Sequence, residues 1–143
     1  MVIPRARVAV VQKFYKHIDL QFNIDSFTYF SNKNVVLLGF SGAYLPDEDL
    51  VGELEKLAEE VEDYALLGLS VNDPYVLQRY SKNFNSNIGF IADAAGHLTR
   101  SLEAGVYTKE YSIGFRTKPF LSVVKKGVVT AMLDKDSKLF NQL

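Results

Sequence analysis

The chain has 143 residues, 48% of them hydrophobic and 13% aromatic, enough for a packed core and too apolar for a disordered segment. Lys plus Arg is 16 and Asp plus Glu is 17, so a net charge of −1 supplies no global pull toward nucleic acid or anionic lipid. There is no cysteine, which excludes disulfides, a thiolate nucleophile and Cys-ligated metal within these residues.

Residues 2–30 alternate and are predicted to be extended. Val8, Val10 and Val11 form one apolar run. Ile18, Leu20, Phe22 and Ile24 alternate strictly with Asp19, Gln21, Asn23 and Asp25, the pattern of a half-buried strand. Phe27, Tyr29 and Phe30 follow, and Ser31 to Asn34 is a polar turn. The expectation is a hairpin-like lead-in at one edge of a sheet.

Val35 to Leu38 are four consecutive apolar residues, half of them β-branched, as in a strand covered on both faces. Gly39, Ser41 and Gly42 then allow a tight turn, and Pro46 pre-sets φ for a helix entrance. Asp47 and Asp49 are N-cap candidates. Leu50, Val51, Leu54, Leu57, Ala58 and Val61 follow at helical spacing, with Glu53, Glu55, Lys56, Glu59, Glu60 and Glu62 on the other face.

Tyr64 to Val71 is a second covered strand. Asp73 and Pro74 read as N-cap and first residue of a short helix carrying Tyr75, Val76, Leu77 and Tyr80. Ile88 to Ala92 is a third strand, Asp93 to Gly96 a turn with φ > 0 at the glycine, and His97 to Glu103 a short helix closed near Gly105. Val106 to Lys118 is expected to be a long irregular connection. Phe120 to Val124 and Val128 to Leu133 are strands joined by Lys125-Lys126-Gly127, and Lys138 to Leu143 closes as a helical turn.

This order predicts an α/β fold: one mixed sheet with parallel crossovers, an antiparallel closing hairpin, flanking helices and an N-terminal β extension. The expected organisation is one domain, with residues 1–33 as lead-in, 34–133 as core and 134–143 as tail. No apolar run approaches the roughly 20 residues of a membrane-spanning helix, and Met1 to Arg7 lacks the apolar core of a secretory signal. His17 and His97 have no second ligand at metal spacing, so neither metal nor another cofactor is expected.

Three segments carry a family resemblance. Val35 to Pro46 resembles the active-site strand and loop of the type-5 peroxiredoxins, the redoxin branch of the thioredoxin-like superfamily. Ser70-Val71-Asn72-Asp73-Pro74-Tyr75-Val76 is similar to that family's Ser-Val-Asn-Asp-x-Phe-Val. Ala92-Asp93-x-x-Gly96-x-Leu98-Thr99, then Gly114-x-Arg116-Thr117 and the hairpin, complete the likeness, which covers about Val35 to Leu133.

The resemblance implies a thioredoxin-like fold and a site where a cysteine thiolate attacks peroxide. A threonine holds the substrate there and a distant arginine lowers the thiol pKa. Carried onto this chain, the family's loop proline becomes Ser41, its threonine Leu45, and its phenylalanine Tyr44, while Gly42, Ala43 and Pro46 are kept. The cysteine falls on Glu48 in an ungapped reading, or its position is deleted. The arginine falls on Pro119; Arg116 matches a different upstream basic position, and Lys118 is a neighbouring charge without a guanidinium's bidentate geometry. Pro119 before an apolar strand also resembles the cis-proline of ordinary thioredoxins.

The expectation is therefore a degenerate peroxiredoxin, not an enzyme, serving as a structural or interaction subunit. Its partners would be other protein subunits or a second copy, in a larger assembly such as a mitochondrial complex. Phe40, Tyr44, Leu45, Tyr75, Phe115 and Phe120 are the candidate interface. One alternative is a repurposed enzyme using Asp47, Glu48 and Asp49 with His97 or Tyr107; another is a small-molecule binder beside Tyr44, Leu45 and Phe120.

Overall fold

The computed structural model describes residues 1–14, 17–42, 52–53, 55–56, 63–84, 87–108 and 114–134. Within them lie β1 (Arg7–Phe14), β2 (His17–Asp25), α1 (Ser26–Phe30), β3 (Asn34–Gly39), β4 (Ala65–Ser70), α2 (Pro74–Ser81), β5 (Gly89–Ala92), α3 (His97–Ser101), β6 (Gly105–Thr108), β7 (Gly114–Thr117), β8 (Phe120–Lys125) and β9 (Val128–Asp134). A seven-stranded sheet has the order β2-β1-β5-β4-β3-β8-β9, and β6 and β7 form a separate two-stranded sheet. β3, β4 and β5 run parallel, and every other pairing is antiparallel. This is the expected mixed sheet with flanking helices.

The period-two geometry of a strand sends β3 to two cores. Val36 and Leu38 join Leu77 and Tyr80 of α2 on one face, whereas Val35 and Leu37 join Leu98 and Phe30 on the other. An all-apolar β3 is thus explained by layers on both sides. α2 starts as its sequence predicts: Asp73 Oδ1 accepts from Tyr75 N at 2.7 Å, and Pro74 takes the first helical position. Its end is held from the sheet, because the buried Lys13 ammonium of β1 donates to the Ser81 and Phe84 carbonyls.

Several expectations change. Residues 26–30 are α1, not a continuing strand, because Asp25 caps a helix by accepting from Phe27 N at 3.2 Å. Residues 105–108 and 114–117 pair as β6 and β7, where an irregular connection was predicted. α3 ends before Gly105: Leu102 caps it, and Glu103 turns the chain at φ 56. The strict alternation of β2 breaks at a bulge, with a register shift opposite Val8–Val10 and Asn23 at φ 57. Ile18 and Leu20 therefore pack on one core, Ile24 packs on the other, and Phe22 is left exposed. The turn at Lys126 (φ 51) and Gly127 (φ 81) is the two-residue type expected between twisted strands. The segments carrying residues 43–51 and 135–143, including the predicted closing turn, lie outside the described residues.

Gly39 makes room for the fully buried Phe120: a Cβ there would lie 2.1 Å from the ring and 2.9 Å from the Lys118 carbonyl oxygen. Gly39→Ala is expected to destabilise the protein by about 1–3 kcal/mol through overpacking. In a Phe120→Leu background the alanine should cost less. Urea denaturation of the four proteins checks this, and additive effects would show that the ring is not the obstacle.

Burial raises the Tyr29 phenol above the usual tyrosine range. The unfolded chain then ionises first, so this contribution is present below the ordinary tyrosine pKa and is lost as pH rises through the folded one. Tyr29→Phe should flatten the alkaline limb of stability, read as the urea midpoint followed upward from neutral pH.

Candidate functional site

Ligand sites in open α/β sheets lie beyond the carboxyl ends of the parallel strands. Here those ends are Gly39-Phe40-Ser41 after β3, Ser70-Val71-Asn72 after β4, and Asp93 after β5. Phe40 N donates to Leu69 O at 3.0 Å and Asp93 N to Ser70 O at 2.9 Å, which ties the three ends together. Asn72 Nδ2 donates to the buried Ser70 hydroxyl at 2.5 Å.

Asp93 is fully buried and acts as a node. Its carboxylate accepts from Leu98 N at 3.2 Å and Thr99 N at 2.7 Å, satisfying the start of α3. Its carbonyl accepts from Gly96 N at 2.8 Å, holding the turn in which Gly96 has φ 77. Thr99 and Thr117 share a buried hydroxyl–hydroxyl bond of 2.9 Å, and Lys118 N donates to Ala104 O at 2.7 Å. Arg116 donates from Nη1 to Val71 O. These bonds fasten the β6–β7 ribbon and the approach to β8 against the site end of the sheet.

The ribbon's aromatic, Phe115, is half-buried against its own chain. The Arg100 guanidinium stands 4.0 Å from its ring centroid, and the Tyr107 ring meets it edge-on at 5.5 Å. A Cβ at Gly105 would lie 2.3 Å from the Phe115 ring, so only glycine permits this approach.

The residues of the resemblance are only partly brought together. Ser41 and Pro119 sit at the same end of adjacent strands, since Gly39 pairs with Phe120, and both are half-buried. No described peptide bond is cis, so the bond before Pro119 is trans. Leu45, Pro46 and Glu48 lie outside the described residues, as do Tyr44, Asp47 and Asp49. His97 is exposed at the start of α3, and no cluster of metal-ligating side chains forms among the described residues.

The expected interface set is corrected by burial. Phe40 and Phe120 are fully buried, and they belong to the cores on opposite faces of the sheet. Phe40 stacks on Tyr80 at 5.9 Å and meets Phe90 edge-on at the same distance, so it is a core residue. Tyr75 alone of the described set is largely exposed, at 62%, and its neighbour is Phe22 at 5.8 Å between ring centroids. Phe22 was read as a buried alternating residue, and only the β2 bulge reveals its surface position.

Sequence comparison completes the picture. No protein-family model matches the chain. Peroxiredoxin-2C of Oryza sativa subsp. japonica is 32% identical over 99 residues, covering 63% of this chain and 60% of its own. A peroxiredoxin of Rhizobium etli is 30% identical over 118 residues, covering 76% and 64%. The 1-Cys peroxiredoxin antioxidant protein of Plasmodium falciparum superposes with a TM-score of 0.81 at 22% identity, over 96% of this chain and 84% of that one. Reduced Prx3 of Vibrio vulnificus in complex with H2O2 gives 0.77 at 23% identity, over 96% and 87%. The chain is thus similar in sequence to proteins named peroxiredoxins and shares the fold of solved peroxiredoxin structures. It spans 60 to 66% of the length of the first curated relatives it matches.

These relatives correct one expectation. The missing cysteine predicts a chain that is not an enzyme, yet proteins named peroxiredoxins match it at about 30% identity over most of its length. The physical reason is one of scope. A cysteine-free peroxiredoxin-like chain lacks a thiolate of its own, which limits one chemistry and does not speak for all catalysis.

Asp93→Ala should cost about 1–3 kcal/mol, because two buried N–H groups lose their acceptor. Asp93→Asn keeps one acceptor oxygen and should lose less. Thermal unfolding of both variants checks the order, and equal losses would show that the negative charge rather than the paired acceptors matters.

Proposed function

We propose that this chain is a type-5 peroxiredoxin-like protein whose former peroxide site is degenerate, and that it works as an interaction subunit within a larger protein assembly. The former site is assigned to Ser41 and Pro119, with Leu45, Pro46 and Glu48 completing it in sequence. All 143 residues are taken as one redoxin unit.

The observation that carries this reading is the pairing of a seven-stranded peroxiredoxin-like sheet with the lack of any cysteine in the sequence. The buried network that shapes the site end supports the scaffold: Asp93 on α3, Thr117 on Thr99, and Arg116 on Val71. Because fold does not fix function, a retained scaffold of this kind is free to act through its surface. The Phe22–Tyr75 ring pair is an exposed aromatic feature of the kind enriched in interface cores. A mitochondrial complex is the favoured setting.

The test is a native mass determination on protein purified gently from its own cells, with co-purifying chains identified. A defined assembly containing other polypeptides is expected. A free monomer or a simple homodimer overturns the reading.

A further inference from the structure

α2 leaves one long face largely exposed. Tyr75, Arg79 and Lys82 stand four and three residues apart, so they share one stripe about 10 Å long. All three are exposed, and Val76 beside them is 45% exposed. Phe22 of β2, 53% exposed, extends the apolar end of the stripe by its contact with Tyr75. The stripe therefore runs from an apolar end, made by Phe22, Tyr75 and Val76, to a cationic end.

The charge balance of this face is one-sided. α2 contains no acidic residue, and Asp73, the acidic residue that flanks it, is engaged as the N-cap of Tyr75 N. On β2, the Asp19 carboxylate is engaged by a hydrogen bond with His17 Nε2. At the other end, the buried Lys13 already serves the carbonyls of Ser81 and Phe84 from inside. Cations in a last turn complement the helix dipole, so Arg79 and Lys82 by themselves do not mark a docking face. The exposed rings on the same stripe are a separate observation. They point to a partner with an apolar anchor, while the unpaired cations specify its charge.

We propose that the α2–β2 face docks an acidic amphipathic segment of another protein. An aromatic or aliphatic anchor would seat on Phe22, Tyr75 and Val76, and carboxylates would sit one helical turn away on Arg79 and Lys82. The proposal rests on the subunit reading above and names the surface and the partner chemistry it uses.

The test pans the full chain against a displayed random peptide library. Enriched peptides are expected to combine a Phe, Trp or Leu with two or more Asp or Glu, and to bind in roughly the 1–100 μM range typical of short motifs. Arg79→Gln with Lys82→Gln should weaken them at least about tenfold, and Tyr75→Ser should do the same. The double Arg79→Glu, Lys82→Glu variant should instead take basic versions of the same peptides. Circular dichroism and thermal midpoints should be nearly unchanged, because these side chains are exposed.

The proposal is overturned by no enrichment, by enrichment without acidic bias, by binding indifferent to these substitutions, or by self-association of the chain through the same residues. The two readings separate in the native preparation. An assembly that survives the Arg79→Gln, Lys82→Gln change rejects this face and leaves the subunit reading standing. A free chain that still binds acidic peptides through Tyr75 does the reverse.

Discussion

β3 is the constraint on which the rest of the molecule depends. It has a parallel neighbour on one side, β4, and an antiparallel one on the other, β8, so both of its hydrogen-bonding edges are used. Its side chains fill two cores, one closed by α2 and the other shared with α1 and α3. Close packing leaves no slack at such a position. Where β3 ends, Gly39 yields its side-chain space to Phe120, and Phe40 turns into the opposite core. The chain leaves the sheet at Ser41 with its geometry already set by those two rings.

The same logic explains where the molecule can meet others. Both outer strands of the seven-stranded sheet carry register shifts, in β2 opposite Val8–Val10 and in the β8–β9 pair at Val123–Val124. Bulges twist an edge away from regular pairing, a common defence against edge-to-edge association. Regular edge-to-edge pairing at these two strands is thereby disfavoured. The β2 bulge has a second effect: it turns Phe22 out beside Tyr75, so one local irregularity both blunts an edge and builds an apolar surface.

The site end is held together without a thiol. Its polar bonds join short side chains to one another, Ser70 with Asn72 and Thr99 with Thr117, and to backbone, Asp93 with the start of α3. None of them involves a thiol. Each satisfies a group that burial would otherwise penalise. They therefore hold the strand ends in a peroxiredoxin-like arrangement whether or not a cysteine is present. Scaffold and chemistry are separable in such an arrangement because these bonds depend on no thiol.

Sequence alone determined the elements that local chemistry dictates. The apolar run of β3, the Asp73-Pro74 start of α2, the positive φ at Gly96 and the Lys126-Gly127 turn all follow from residue-level preferences. The peroxiredoxin likeness was legible for a related reason, since it resides in contiguous motifs such as Ser70 to Val76. Tertiary structure decided what depends on partners distant in the chain. Phe40 and Phe120 are open by sequence to either an interface or a core reading, and the register with β4 and β8 buries them in opposite cores. Phe22 looked buried until a bulge against β1 broke the alternation. The pairing of β6 with β7 depends on glycines at 105 and 96 that accept the Phe115 ring, a fit that no local pattern announces. A side chain's face is set by strand register, and register is fixed by the neighbouring strand rather than by the residues themselves.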